Sequence, residues 1–266
     1  MLVKKIKDSG GKCFASFVPA STKRLAPVAV EAGCDAVVVQ STVTTARHNS
    51  KSLEGLILSK LVDSLDVPII VGNTVTYNVT RELMEQGVDG ILVGVGPGSA
   101  CTSREVLGVG VPQVSATLEC SSARDDYYKL TGRYVSIITD GGIRTGGELC
   151  KSFVSGADAV MIGSPIAKSS SAPGKGFHWG MATPSPVLPR GTRIKVGTTG
   201  SLKSILCGPA ILDDGTHNLL GAIKTSMGTL GATNIKEMQN VEVVIAPSLL
   251  TEGKVYQKAQ QLGMGK

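Results

Sequence analysis

A cysteine in a glycine-rich loop is the residue of this sequence best suited to chemistry. Cys101 lies in residues 96–103, which read GPGSACTS and directly follow the apolar run 90–95. A loop of small residues leaves backbone N–H and C=O groups available to hold an ion, and N–H dipoles stabilise a thiolate. A buried cysteine in a tight turn is the alternative. The two glycines that flank Pro97 favour the interpretation of Cys101 as a nucleophile.

A pattern that occurs three times predicts the elements that position this loop. A glycine, any residue, an aspartate and a small residue precede an apolar run at Gly33, Gly87 and Gly156. Each glycine follows an amphipathic stretch, so we expect it to end a helix and the run after it to form a strand. Such units in series predict a parallel sheet covered by helices. The repeated aspartates, which we interpret as structural residues before the strands, are Asp35, Asp89 and Asp158.

Six apolar runs are predicted to be parallel strands, namely residues 13–18, 36–40, 68–71, 90–95, 134–139 and 159–162. Their continuous apolar character predicts burial on both faces. Polar residues and glycines collect after each run, which predicts an active site at the carboxyl ends of the strands.

Six strands are two fewer than a closed (β/α)₈ barrel contains. Residues 2–9 already predict a helix before the first strand, so we expect the first two barrel strands to be missing before Met1. A doubly wound open sheet is the competing fold. The glycine-containing loops after the last two strands favour the barrel, because barrel enzymes build their phosphate sites there.

The composition changes after residue 162, yet we expect one catalytic domain over residues 1–266. Residues 165–266 would then form a cover over the active-site face and a C-terminal extension. Within this part the pattern predicts an extended segment at 183–189, helices near 219–227 and 254–260, and a strand at 241–245.

Composition restricts the class of protein. The net charge of +6 is dispersed, since no basic run is longer than Lys4-Lys5, and this favours an anionic small molecule over nucleic acid. The six cysteines form no C-x-x-C pair, which argues against a zinc site or a disulfide scaffold and for reduced thiols. No apolar run approaches the ~18 residues of a membrane span. We therefore expect a soluble cytoplasmic protein.

One long motif resembles a known family. Residues 94–113, GVGPGSACTSREVLGVGVPQ, together with the segments 140–144, 163–164 and 180–181, resemble the IMP dehydrogenase/GMP reductase family from about residue 11 to the C-terminus. Residues 178–184 and 251–257 resemble its IMP dehydrogenase-related branch. The resemblance implies a (β/α)₈ barrel, here with about six strands and truncated at the N-terminus. It also implies redox chemistry with NAD or NADP at C2 of a purine nucleotide and a homo-oligomer, a tetramer or octamer.

The resemblance implies roles for individual residues. Cys101 would be the thiolate that adds to C2, and Ser103 stands where the family has a threonine that helps move protons. The substrate-binding residues implied are Ser99, Asp140, Gly141, Gly142, Gly163, Ser164, Gly180 and Met181. Among these, Asp140 would accept hydrogen bonds from the ribose hydroxyls, while Gly142, Gly163 and Ser164 would hold the 5′-phosphate. The cofactor-binding residues implied are Gln40, Asn73 and Gly94. Backbone carbonyls of Gly96, Gly98 and Cys101 would bind a monovalent cation such as potassium.

Three departures from the family pattern bear on the reaction. Gln40 stands where the dehydrogenases carry an aspartate. No Arg-Tyr pair occurs in the 25 residues between Ser164 and Arg190, whereas the dehydrogenases use such a pair to activate water. The reductases carry a glutamate where residues 189–191 read Pro-Arg-Gly. The missing pair favours GMP reductase, which converts GMP to IMP and ammonia, over IMP dehydrogenase, which converts IMP to XMP.

Two other classes of function are alternatives. One is a nucleotide-binding or assembly protein without activity, which the altered catalytic positions support. The other is a phosphate-binding barrel of another pathway, which would need a catalytic acid or lysine at a strand end. No such residue is as convincing as Cys101.

Overall fold

The computed structural model describes residues 2–41, 43–46, 55–180, 193–246 and 259–260. The chain divides into two compact units. The first unit comprises Met1–Pro97 and Thr102–Asp140, and the second comprises Gly98–Cys101 and Gly141–Lys266.

Helices alternate with parallel strands in the first unit. The strands are β1 (Phe14–Phe17), β2 (Ala36–Gln40), β3 (Ile69–Thr74), β4 (Gly90–Val93) and β5 (Ser136–Asp140). The helices are α1 (Leu2–Asp8), α2 (Pro19–Glu31), α3 (Leu58–Ser64), α4 (Tyr77–Glu85), α5 (Ser103–Leu107) and α6 (Gln113–Thr131). Each strand pairs in parallel with the next one along the chain. A doubly wound sheet instead reverses its strand order at a switch point, so this sequential order excludes the competing fold.

The core of this unit lies around its central strands. Every residue of β2, β3 and β4 is buried, as their continuous apolar sequences predict. The same expectation is wrong for β1, where Phe14 is 56% exposed, for β5, which alternates between half-buried and buried residues, and for the sixth predicted strand, where no residue of Ala159–Met161 is buried. Among the described residues β1 pairs with β2 alone, and a strand with one neighbour has less of its surface covered.

The second unit is mainly helical. It contains α7 (Gly146–Val154), β6 (Ala159–Met161), α8 (Ser164–Ala167), β7 (Phe177–Trp179), β8 (Arg193–Lys195), α9 (Leu202–Cys207), α10 (Leu219–Leu230) and α11 (Ile235–Met238). Leu149, Phe153, Ile205, Leu219 and Met238 form its core. All six predicted strands are present, β1 to β5 in the first unit and β6 in the second.

The predicted helix–glycine–strand units are also confirmed. Each glycine of the repeat follows its helix and adopts a left-handed backbone, with φ of +90° at Gly33, +88° at Gly87 and +99° at Gly156. The helices end two residues before these glycines, at Glu31, Glu85 and Val154. A side chain is disfavoured in this conformation, which explains the recurrence of glycine.

One predicted strand of the tail is wrong. Residues 241–245 form neither strand nor helix, and Val244 is 84% exposed. An apolar segment becomes a strand only where another strand satisfies its backbone groups, and none pairs with it among the described residues. The predicted extended segment at 183–189 and most of the helix at 254–260 lie outside the described residues. No helix in the described part of the chain is both long enough and apolar enough to cross a membrane.

Candidate functional site

Three polar side chains meet at the carboxyl ends of strands in the first unit. Gln40 ends β2, Asn73 lies near the end of β3, and Asp140 ends β5. Gln40 Nε2 and Asn73 Nδ2 each donate a hydrogen bond of 2.8 Å to Asp140 Oδ2. Gln40 Nε2 also lies 3.2 Å from Asn73 Oδ1. We call these three residues the carboxylate–amide cluster.

The carboxylate of this cluster is held by neutral partners. Gln40 is 8% exposed and Asn73 is 5% exposed. Burial raises the pKa of Asp140, and the hydrogen bonds from Asn73 and Gln40 offset this rise only in part. Asp140 makes no ion pair with a described residue, and its Oδ1 accepts no hydrogen bond from one. The cluster therefore presents one carboxylate oxygen to an incoming hydroxyl or N–H group.

The backbone at Gly94 approaches the same region of the first unit. Gly94 has a φ of +147°, and a Cβ there would overlap the Asp140 carbonyl oxygen and lie 2.9 Å from Gln113 Oε1. Gln113 Nε2 donates to the Val93 carbonyl at 2.6 Å, while its Oε1 is buried without a hydrogen-bond partner among the described residues. An orphaned acceptor beside a glycine is compatible with a ligand that carries an N–H donor, such as the carboxamide of nicotinamide. Gln113 is the last residue of the motif at 94–113, and the sequence assigned it no role.

The loop after β4 is held by an arginine. Arg104 Nη2 donates to the Val111 carbonyl at 2.8 Å. A Cβ at Gly96 would lie 2.7 Å from Arg104 Nε, so the glycine lets this side chain cross the loop. Ser103, the predicted proton-transfer residue, is the first residue of α5 and is buried.

The second unit contains the nucleophile candidate and a cluster of polar side chains. Cys101 is exposed, and its N–H donates to the Gly98 carbonyl at 3.0 Å. Ser99 Oγ lies 3.3 Å from Ser164 Oγ, which lies 3.1 Å from His178 Nδ1. We call Ser99, Ser164 and His178 the serine–histidine cluster. It brings the predicted substrate-binding residues Ser99 and Ser164 together and adds His178, to which the sequence assigned no role.

His178 is recognisable in hindsight by its place two residues before Gly180 of the quoted motif. A Cβ at Gly163 would lie 3.0 Å from His178 Cε1, so the predicted phosphate-binding glycine also lets the imidazole approach. Neutral hydroxyls and an imidazole are suitable donors for a phosphate. The cluster is thus a candidate anion site.

The loop after β5 is rigidly anchored. Gly141 and Gly142 have φ of +92° and +78°, and their N–H groups donate to no described residue. The next residues are held by Glu148, whose Oε2 accepts from the Arg144 N–H at 2.6 Å and the Thr145 N–H at 3.2 Å. Burial opposes ionisation of Glu148, but hydrogen bonds from Arg144 and Thr145 outweigh it and lower the pKa of the carboxyl. Successive unused N–H groups on a fixed loop are suited to an anion.

The remaining predicted sites are the substrate-binding pair Gly180 and Met181 and the cation site. Met181 lies outside the described residues, and Gly180 is half-buried. No cluster of three or more histidine, cysteine, aspartate or glutamate side chains suitable for a metal occurs in the described part of the chain. The predicted cation ligands are backbone carbonyls, so this result does not bear on them.

The comparisons with known proteins identify the family. The IMP dehydrogenase / GMP reductase domain matches residues 6–183. This chain belongs to the IMP dehydrogenase/GMP reductase family. It is 38% identical over 248 residues to an uncharacterized oxidoreductase of Mycobacterium leprae, covering 92% of this chain and 66% of that protein. It is 36% identical over 226 residues to the inosine-5′-monophosphate dehydrogenase of Aquifex aeolicus, covering 79% of this chain and 44% of that protein.

A solved structure supports the fold class. The crystal structure of an IMP dehydrogenase/GMP reductase-like protein from Corynebacterium glutamicum matches with a TM-score of 0.83 and 34% identity. The match covers 92% of this chain and 64% of that one. The predicted class, an α/β chain with six of the eight strands of a (β/α)₈ barrel, is thus confirmed. The chain spans about two-thirds or less of the length of these relatives.

Proposed function

We propose that this chain belongs to an NAD(P)-dependent oxidoreductase that acts at C2 of a purine ribonucleoside monophosphate through a covalent adduct on Cys101. The observation that carries the proposal is the exposed Cys101 thiol, which follows the glycine-rich motif of the family. The exposed Cys101 thiol is accessible to a substrate, whereas four of the other five cysteines are buried.

The two polar clusters suit two parts of such a nucleotide. The open Oδ1 of Asp140 is an acceptor for ribose hydroxyls, because a carboxylate forms charge-assisted hydrogen bonds with them. The serine–histidine cluster and the N–H groups of Gly141 and Gly142 supply donors for a 5′-phosphate. Each role follows from the donor and acceptor types present.

The proposed direction is the reduction of GMP. Cys101 Sγ bonds to C2, the bond from C2 to the exocyclic nitrogen breaks, and ammonia leaves with a proton that Ser103 helps to transfer. After C2 receives a hydride, the bond between C2 and Sγ breaks and IMP is released. Reduced nicotinamide, when bound, supplies that hydride, and Gly94 with the orphaned Gln113 Oε1 would lie against its carboxamide.

The absence of an Arg-Tyr pair between Ser164 and Arg190 favours this direction, because reductive deamination needs no activated water. IMP dehydrogenase is the second candidate, favoured by the similarity to the enzyme of Aquifex aeolicus. By the same family resemblance we propose a homo-oligomer, a tetramer or octamer, and a monovalent cation at the carbonyls of Gly96, Gly98 and Cys101.

Two assays test the proposal. The chain is mixed with GMP and NADPH, and separately with IMP and NAD, and the absorbance of the reduced cofactor is followed. We expect consumption of NADPH in the first assay, whereas formation of NADH in the second would assign the dehydrogenase direction. Cys101→Ala should abolish turnover and leave nucleotide binding by calorimetry largely intact, since the thiol forms the covalent bond.

Cys207→Ala is the matched control, because Cys207 is also exposed but lies at the end of α9. It should retain activity. Turnover by Cys101→Ala close to that of the unchanged chain would overturn the proposal.

A further inference from the structure

The carboxylate–amide cluster extends into a chain of hydrogen bonds from four strands of the first unit. Ser16 Oγ of β1 donates to Gln40 Oε1 at 3.4 Å. Gln40 Nε2 then contacts Asn73 Oδ1 and Asp140 Oδ2, and Asn73 Nδ2 reaches the same carboxylate oxygen. The network therefore converges on Asp140.

The network determines which end of each amide faces the carboxylate. Because an ionised carboxylate can only accept hydrogen bonds, the Nε2 group of Gln40 must point toward Asp140, and the Ser16 hydroxyl then donates to Gln40 Oε1. Because Asn73 Oδ1 faces Gln40 Nε2, the Nδ2 group of Asn73 must likewise point toward Asp140. Both amides are buried, so neither can rotate to water without losing partners that it needs there.

Both donors contact one oxygen of the carboxylate. With Oδ2 held from two sides, rotation of the carboxyl group is prevented and the direction of Oδ1 is determined. A lysine or arginine would also hold Oδ2 but would neutralise the charge, whereas a carboxylate at position 40 would repel it. Neutral amides orient Asp140 and leave its negative charge available to a ligand hydroxyl.

We propose that Gln40 and Asn73 are positioning residues that aim Asp140 Oδ1 at the ribose 2′-hydroxyl and so select ribonucleotides over 2′-deoxyribonucleotides. This inference rests on the proposed function for the identity of the ligand. It assigns Gln40 and Asn73 to the substrate ribose through Asp140, whereas the family resemblance implied contacts with the cofactor.

The test is a double-mutant cycle on nucleotide selectivity. Dissociation constants for GMP and 2′-deoxy-GMP are measured by calorimetry for the unchanged chain, Gln40→Met, Asp140→Asn and the double variant. Loss of one charge-assisted hydrogen bond corresponds to roughly tenfold or more in affinity, so the unchanged chain should prefer GMP by about that factor. Gln40→Met should bring the ratio of the dissociation constants for 2′-deoxy-GMP and GMP close to one. In the Asp140→Asn background the same substitution should have no further effect on this ratio, because Gln40 acts only through Asp140.

Gln260→Met, at an exposed position, is the matched control and should leave the ratio unchanged. Gln40→Glu is a second variant that preserves the size of the side chain and replaces its donor by an acceptor. Gln40→Glu should also lose the preference for GMP over 2′-deoxy-GMP. Loss of the preference in both variants would show that misfolding of Gln40→Met is not its cause.

A second readout needs no nucleotide. Carbon-13 NMR of the Asp140 carboxyl should show a higher pKa in Gln40→Met, because the hydrogen bond from Gln40 lowers it. If the unchanged chain binds no GMP while this pKa responds, the proposed function fails and so does the ribose selection, but the positioning contact stands. If GMP binds with a ribose preference that Gln40→Met retains, or the pKa does not change, the inference is overturned and the proposed function is not.

Discussion

The two ends of the strands in the first unit carry the same residue type in opposite environments. Before the strands, Asp35 Oδ2 accepts from the Cys13 N–H at 2.7 Å, and its Oδ1 lies 2.6 Å from Lys7 Nζ. Asp89 likewise accepts from the Ile69 N–H at 2.9 Å and pairs with Arg133. After the strands, Asp140 contacts only neutral amides among the described residues.

The electrostatic consequences differ in sign. The Lys7 ammonium and the Cys13 N–H lower the pKa of Asp35 to about 2. Burial raises the pKa of Asp140. Ionisation therefore favours the folded state at one end of the strands and opposes it at the other. The comparison indicates that the aspartates at the amino ends support folding, whereas ionisation of Asp140 at the carboxyl end opposes it.

Alanine substitutions of one glycine after a strand and one before a strand should distinguish the cost of backbone strain from the cost of close packing. Gly94→Ala adds a left-handed strain and a clash with the Asp140 carbonyl, so it should reduce the free energy of unfolding by about 3 kcal/mol or more. Gly33→Ala, before β2, also places a side chain at a positive φ, of +90° against +147° at Gly94, but has no atom within 4 Å of the new Cβ, and should cost about 1 kcal/mol. Urea denaturation measures both. Equal losses would mean that close packing at Gly94 contributes nothing.

Asp140→Asn should weaken nucleotide binding and increase the stability of the folded state. Replacing the open acceptor by an amide should weaken binding of a purine ribonucleotide by about 2 kcal/mol, roughly thirtyfold. A carboxyl with a raised pKa destabilises the folded state above its unfolded pKa, so the variant should be more stable than the unchanged chain at neutral pH. Calorimetry and urea denaturation at pH 7 check the two effects. A less stable variant with unchanged affinity would place Asp140 with the structural aspartates.

Asp35→Asn should lower the stability at neutral pH and weaken its dependence on acid. A lowered pKa contributes stability that is present above the unfolded pKa of about 4 and is lost as the pH falls toward about 2. The variant should be less stable at neutral pH and show a smaller loss of stability between pH 4 and pH 2. Thermal melts across this range measure the effect, with Asp8→Asn at an exposed position as the control. Nucleotide affinity that falls with Asp35→Asn would contradict the division between the two ends.

Local patterns predicted the elements well. The glycine repeat located three strands, and the polar residues after the strands located Gln40, Asn73 and Asp140 at one edge. Burial of β1 and a strand at 241–245 were predicted wrongly, because both depend on neighbours that periodicity does not report. His178 was given no role from the sequence, since a single histidine more often lies at the surface or at a satisfied core edge.

The sequence by itself determined the order of helices and strands, the place of the nucleophile candidate and the membership of a family, because these depend on residue types at short spacing. Only the tertiary structure decided what each polar side chain contacts. Gln40 and Asp140 are 100 residues apart, on β2 and β5, which are separated in the sheet by β3 and β4. They meet because all these parallel strands bring their carboxyl ends to one edge. The direction of each amide, and hence the oxygen that Asp140 leaves open, follows from hydrogen bonds between four strands, which no local pattern encodes.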